Sequence, residues 1–228
     1  LVVKIVLIFG RSSIKKEKKE KIMKSLRLTL GILLFLMGSA RAQAATVGQP
    51  APAFSAADLA GKTVSLSKFK GKYVVLEWHN PDCPFVKSQY KGKMQKLQKK
   101  WTDEKVIWLS INSSAPGLEG SMNAEEAAAD VKDNQSSATD SILDPSGKIG
   151  HAYGAKSTPH MFVIDPKGIL IYNGAIDNAP LEDEASDKTQ DGAAYINYVD
   201  QALTQAASGQ KVSVPSTAPY GCGVKYAD

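Results

Sequence analysis

Cysteine is scarce: 228 residues carry two, Cys83 and Cys222. With three histidines, His79, His151 and His160, and no paired Cys-x-x-Cys spacing, the chain lacks the ligand density of a zinc site. No metal and no other cofactor is expected. Arginine stops at Arg41. Beyond it no planar guanidinium can grip an anion, and lysine is a poor replacement for that rigid fork. Long apolar runs are missing too. Leu28 to Met37 is about ten residues, against the roughly twenty that a membrane span needs.

The basic charge sits at one end. The formal net charge is +5, yet the first 42 residues hold seven Lys and three Arg against two Glu, and the remainder is net negative. A nucleic-acid surface is therefore not expected on the folded part. Met23-Lys24-Ser25-Leu26-Arg27, the apolar run to Met37 and the small residues Ala40, Ala42 and Ala44 read as an export signal over residues 23–44. Residues 1–22 differ in character and read as translated upstream sequence, with Met23 as the start. One domain then runs over 45–228, with a tail from about Gly209 and no stable membrane span once the signal is removed. Export, to the periplasm on this reading, puts both cysteines in an oxidising compartment. Two thiols can pair there, but the sequence does not say whether these do.

Along the chain, Val47-Gly48-Gln49-Pro50-Ala51-Pro52-Ala53-Phe54 is an extended opening, and Thr63 to Leu66 a short strand. Tyr73 to Trp78 and Val106 to Ile111 read as buried strands. Between them Val86, Tyr90, Met94, Leu97 and Trp101 recur at helical spacing, with Gly92 as a weak point. The lysines between those positions read as a solvated face. Asn123 followed by Glu126 is a capping-box pattern that opens a helix to about Lys132. A short strand at Ser141 to Asp144, a helical segment at Ile149 to Tyr153 and a hairpin of His160–Ile164 with Ile169–Tyr172 follow. A terminal helix is expected over Asp191 to Ala207. This order predicts an α/β fold with a mixed central sheet.

Chemistry concentrates at Tyr73-Val74-Val75-Leu76-Glu77-Trp78-His79-Asn80-Pro81-Asp82-Cys83-Pro84-Phe85-Val86. The apolar strand breaks at Asn80-Pro81 and delivers Cys83 to the start of a helix. Unpaired N–H groups and the helix dipole there favour negative charge and so a reactive thiolate. The plain alternative is a buried structural cysteine. His79 and His160 are either aids to the thiolate or packing residues, and Glu77 is either a buried acid or a solvated one.

With these residues in place, the chain resembles the thioredoxin-like superfamily, in particular exported redoxins related to the peroxiredoxins (AhpC/TSA) and to TlpA- and ResA-type proteins. Gly48…Pro52…Phe54, the strand leading to Cys83, Thr158-Pro159 before a strand, and Val163-Ile164-Asp165 with Gly168 carry the likeness over about residues 46–207. The nearest resemblance is to a peroxiredoxin-like group with a single-cysteine Cys-Pro-Phe-Val site and a Pro-Tyr-Gly-Cys tail. It implies a cis-proline at Pro159 facing the active-site sulfur, with Thr158, Trp78 and His160 as binding residues around it. It also implies that Glu77, six residues before Cys83, is the strand's buried acid and a proton relay. Two departures matter. Val86 stands where a Cys-x-x-Cys site has its second thiol, and Asn80 stands where peroxiredoxins carry Thr.

Three readings remain open. In the first, Cys83 attacks a protein or small-molecule disulfide and Cys222, the only other thiol, resolves the mixed disulfide. In the second, peroxide oxidises Cys83 to a sulfenic acid that Cys222 condenses, a non-standard thiol peroxidase. In the third, Cys83–Cys222 is a permanent staple in a non-catalytic binding module.

Overall fold

The computed structural model describes residues 44–181, 189 and 192–227. The export signal and the upstream segment read from the sequence thus lie outside the described residues, apart from Ala44. A small antiparallel pair, β1 (Ser55–Ala57) and β2 (Thr63–Ser65), precedes the main sheet. The main sheet is built from β3 (Val74–Trp78), β4 (Ile107–Asn112), β5 (Asp140–Leu143), β7 (His160–Ile164) and β8 (Leu170–Gly174), in the order β5-β4-β3-β7-β8. β3 is parallel to β4 and antiparallel to β7, so the sheet is mixed, as the sequence predicts. The parallel step is possible because two helices, α1 (Pro84–Gln89) and α2 (Lys93–Asp103), span the crossover.

Alternation along β3 divides the core. Val75 packs with Val86, Tyr90, Met94, Leu97 and Trp101 from α1 and α2, and with Val199, Ala202 and Leu203 of a terminal helix, α5 (Tyr198–Ala207). Val74, Leu76 and Trp78 face the other layer, against Ile149 and Tyr153 of α4 (Lys148–Tyr153), Phe162 and Val64. Every β3 residue is buried, which explains why the strand reads as a continuous apolar run with one intruder, Glu77. The remaining helix, α3 (Ala124–Asp133), opens with the expected box: Asn123 accepts from the N–H groups of Glu125 and Glu126, and Glu126 accepts from that of Asn123.

Two helix boundaries differ from expectation. The periodic run after Cys83 is two helices, because Gly92 takes φ 128° and its N–H goes to the Gln95 side chain. The apolar spacing survives the break, which is why the pattern alone reads through it. The terminal helix starts at Tyr198, later than the expected Asp191, which is itself outside the described residues. Asn197 caps it by accepting from the Asp200 N–H at 2.8 Å. Just before it, the Ile196 backbone exchanges hydrogen bonds with Asn178, so this stretch is held as an extended bridge.

Past α5 the tail runs back across the molecule. Thr217 hydrogen-bonds β8 through the Asn173 carbonyl and the Ala175 N–H. Further on, β9 (Cys222–Gly223) pairs antiparallel with β6 (Ser157–Thr158). Tyr226 then stacks on His151 and donates to the Ala155 carbonyl.

Candidate active site

Cys83 is the N-cap of α1, with Pro84 in the first helical position, where a missing N–H costs nothing. The turn before it is set by Asn80, whose side chain accepts from the Asp82 N–H at 2.8 Å and whose carbonyl accepts from the Cys83 N–H at 3.2 Å. The thiol is fully buried and donates to the Thr158 carbonyl at 3.0 Å. Thr158 is joined to Pro159 by a cis peptide bond, as the resemblance implies.

The register of β6 with β9 puts Cys222 directly opposite Thr158. Both cysteines are free, and Thr158, whose carbonyl accepts from the Cys83 thiol, is the strand partner of Cys222, so the two cysteines share one site. Gly221 makes this approach possible: it sits at φ 117°, and a Cβ there would fall on the Thr158 carbonyl oxygen. The two thiols are electrostatically unlike. Burial alone would push Cys83 up, but hydrogen bonds from the Cys222 and Thr158 side chains, and from the N–H groups of Val86 and Cys222, outweigh it and hold the thiol below its ordinary value. Burial, followed by the bond to Cys83 and its negative charge, pushes Cys222 up to about 11. The surroundings thus favour the anion on Cys83 relative to Cys222 and the proton on Cys222.

Glu77 is wholly buried on the face of β3 that meets α2. Its oxygens accept from Tyr90 Oη at 2.8 Å, Gln98 Nε2 at 3.0 Å and Trp108 Nε1 at 2.7 Å. His79 lies beside it, with Nδ1 3.8 Å from Glu77, an ion-pair separation, and Nε2 hydrogen-bonded to Asp130 at 2.8 Å. Burial disfavours the imidazolium, yet the two carboxylates prevail and raise His79 to about 9. The acid read from the sequence is thus one part of a His79–Glu77–Asp130 triad beside Tyr90, with Glu77 and His79 buried and Asp130 half-buried.

Two expected binding residues are placed elsewhere. Trp78 is on the opposite face of β3 from the Cys83 layer, tilted against Tyr153 and edge-on to Phe162, and its Nε1 donates to Ser113. Strand alternation makes this unavoidable, because Val75 and Glu77 take the cysteine-side face. His160 follows the cis-proline but does not turn to the sulfur. Nδ1 accepts from the Lys156 N–H at 3.1 Å, and Nε2 meets Asn173 Oδ1 at 2.7 Å, so both ring nitrogens are occupied. Burial pushes it down to about 4, leaving a neutral ring that braces the loop carrying Thr158.

Residues outside the expected site complete it. Tyr220, two positions before Cys222, packs on Phe85, two positions after Cys83. Its hydroxyl donates to buried Asp177 at 2.6 Å and accepts from buried Gln89 Nε2 at 2.9 Å. Asp177 also accepts from Gln89 Nε2, Tyr195 Oη and the Ala179 N–H, with Lys93 Nζ at 3.9 Å. The tail motif contained Tyr220, but Asp177 stands in a featureless stretch of sequence and only folding brings it here. Among the described residues no cluster of three or more His, Cys, Asp or Glu could hold a metal ion, and no helix is long and apolar enough to cross a membrane.

Comparison with known proteins agrees with this geometry. The AhpC/TSA family model matches residues 47–173. The thioredoxin-like protein YneN of Bacillus subtilis (strain 168) is 32% identical over 123 residues, 54% of this chain and 68% of that protein. A hypothetical protein of Sinorhizobium meliloti 1021 shares the fold at TM-score 0.69 and 23% identity, over 81% of this chain and 97% of that one. An uncharacterized conserved protein of Geobacillus kaustophilus does so at TM-score 0.69 and 21% identity, over 80% of this chain and 93% of that one. A cysteine at the head of a helix, a cis-proline facing it and a family match over more than half of the chain lead to one conclusion: the chain belongs to the AhpC/TSA family and is a thioredoxin-like oxidoreductase.

Proposed function

We propose that the protein is an exported thiol–disulfide oxidoreductase in which Cys83 is the nucleophile and Cys222 the resolving thiol. The observation that carries this reading is that two free cysteines meet at Thr158, whose carbonyl accepts from the Cys83 thiol and whose strand partner is Cys222; their surroundings push Cys83 below and Cys222 above the ordinary cysteine value. The Cys83 thiolate attacks one sulfur of a substrate disulfide, forming a mixed disulfide and expelling the other sulfur as a thiolate. Loss of the Cys83 anion then removes part of what holds the proton on Cys222. Cys222 gives that proton to the departing thiolate or to water and attacks Cys83 Sγ. A Cys83–Cys222 disulfide and a second substrate thiol result, so the substrate is reduced and the protein oxidised by two electrons. Glu77 and His79 are buried ionisable groups on the Cys83 side of the sheet, and Thr158 and Pro159 form the wall against which the substrate disulfide lies.

Free thiols of unlike character fit a working pair better than a permanent staple. Peroxide is the weaker candidate oxidant because no arginine follows Arg41. Export to the periplasm rests on the leader at 23–44 alone, and N-terminal sequencing of the mature protein should begin at Gln43 or Ala45.

The test is Cys222→Ser mixed with a peptide disulfide and analysed by non-reducing mass spectrometry. A trapped mixed disulfide at Cys83, with the wild type showing an intramolecular Cys83–Cys222 bond instead, is the expected result. No adduct in either protein sinks the proposal, and so does Cys83 oxidation by peroxide that is fast while disulfide exchange stays slow.

A further inference from the structure

The tail that brings Cys222 to Cys83 also covers it. Cys83 has no exposed surface, and Tyr220 lies on Phe85 of the same helix. A bulky disulfide cannot reach Cys83 while residues 220–223 are docked, so the tail must part from β6 before the first exchange and return for the second. What holds it at this point is polar and buried. The Tyr220 hydroxyl enters a pocket where it donates to Asp177 and accepts from Gln89, while Gln89 Oε1 is buried with no partner. Asp177 keeps three further donors, from Gln89, Tyr195 and the Ala179 backbone, when Tyr220 leaves. The pocket is therefore built to stand open as well as closed: its carboxylate remains satisfied, and Gln89 offers an amide to incoming water.

We infer that Asp177 and Tyr220 form a latch that sets both how often Cys83 is open to substrate and how quickly Cys222 resolves it. Asp177 and Tyr220 are positioning residues, acting through the tail rather than on the reacting sulfurs. The inference rests on the resolving role proposed for Cys222. A latch has a signature that ordinary destabilisation lacks, because loosening it moves the two chemical steps in opposite directions. The first exchange is faster, since the open form is more populated. The second is slower, since Cys222 spends less time against Cys83.

An aromatic disulfide, 5,5′-dithiobis(2-nitrobenzoate), reads both steps in a stopped-flow instrument. The Cys83 thiolate attacks it to give a Cys83–thionitrobenzoate mixed disulfide and one thionitrobenzoate anion. Cys222, losing its proton to solvent, attacks Cys83 Sγ to give the intramolecular disulfide and a second anion. Tyr220→Phe keeps the ring on Phe85 and removes only the hydroxyl. It should speed the first phase and slow the second, each by roughly tenfold, the size expected for one hydrogen bond to a charged group. Asp177→Asn, which keeps an acceptor but removes the charge, should move both phases the same ways by less. Phases that stay unchanged, or that both slow together, overturn the latch. If the wild type itself shows no second phase, the resolving role of Cys222 fails, while the first-phase rates of the two variants still decide whether the latch exists.

Discussion

At the scale of single residues, the site turns on how two identical side chains are made unlike. Cys83 receives hydrogen bonds at a helix N-terminus, and Cys222, on a strand edge, supplies one of them. Neither property belongs to cysteine itself. Cys222→Ala removes a donor to the Cys83 thiolate, so Cys83 should titrate at higher pH than in the wild type, while Cys222→Ser, which still offers a hydroxyl, should move it less. Conversely, Cys83→Ser removes the anion that holds the Cys222 proton, and Cys222 should titrate below about 11. Thiolate absorbance against pH in the three variants measures this. If both thiols titrate unchanged in all of them, the assignment of donor and acceptor is wrong. The value of Glu77 as a sequence signal also shows at this scale. A charged residue within an apolar strand marks a buried polar cluster, but the other members, His79, Asp130, Tyr90, Gln98 and Trp108, come from five separate elements and turns.

The element scale explains which expected residues reach the cysteine. β3 is buried on both faces, so its composition does not say which face carries the chemistry. Only the packing of α1 and α2 against Val75 assigns Glu77 to the reactive side and Trp78 to the structural one. Trp78→Phe should therefore cost about 1–3 kcal/mol of stability through lost packing and the lost bond to Ser113, yet leave the first-phase rate of Cys83 unchanged. Urea unfolding beside the stopped-flow assay checks both halves. A large drop in exchange rate without a change in stability would restore Trp78 to the binding wall. Similarly, the helical spacing from Val86 to Trp101 and the weak point at Gly92 were legible, but the spacing alone does not show that the weak point is a full break, because a short gap of non-helical backbone keeps the same residues facing the sheet.

For the whole molecule, two buried histidines bound the pH range of stability from opposite sides. His79, raised to about 9 from 6.5, contributes stability that is complete below about 6.5 and fades as pH rises through 9. His160, lowered to about 4, has the opposite sign: its contribution is complete above 6.5 and fades as pH falls through 4. Each limb is worth on the order of 3 kcal/mol, so the reduced protein should be most stable near pH 6.5. Denaturant unfolding from pH 4 to 9 should show both limbs. His79→Gln should flatten the alkaline one and His160→Asn the acid one. A wild type equally stable at pH 6.5 and 9 would show that the His79 cluster carries no net stabilisation.

By itself, the sequence determined the local matters: the strand that leads to Cys83, the capped helices, the proline before β7, and an α/β order with family landmarks at the right places. These depend on neighbours a few residues apart, through periodicity, caps and turns. It also narrowed the chemistry, since Val86, Asn80 and the missing arginines argue against a Cys-x-x-Cys site and a standard peroxide site. Tertiary structure alone decided that Cys222 lies on Thr158 beside Cys83, 139 positions away, that His160 and Trp78 face elsewhere, and that Asp177 receives Tyr220. The physical reason is that contacts between distant segments are set by which faces pack and which strand edges pair. No local pattern carries that information, and in this chain the second half of the site arrives on a tail that pairs with β6.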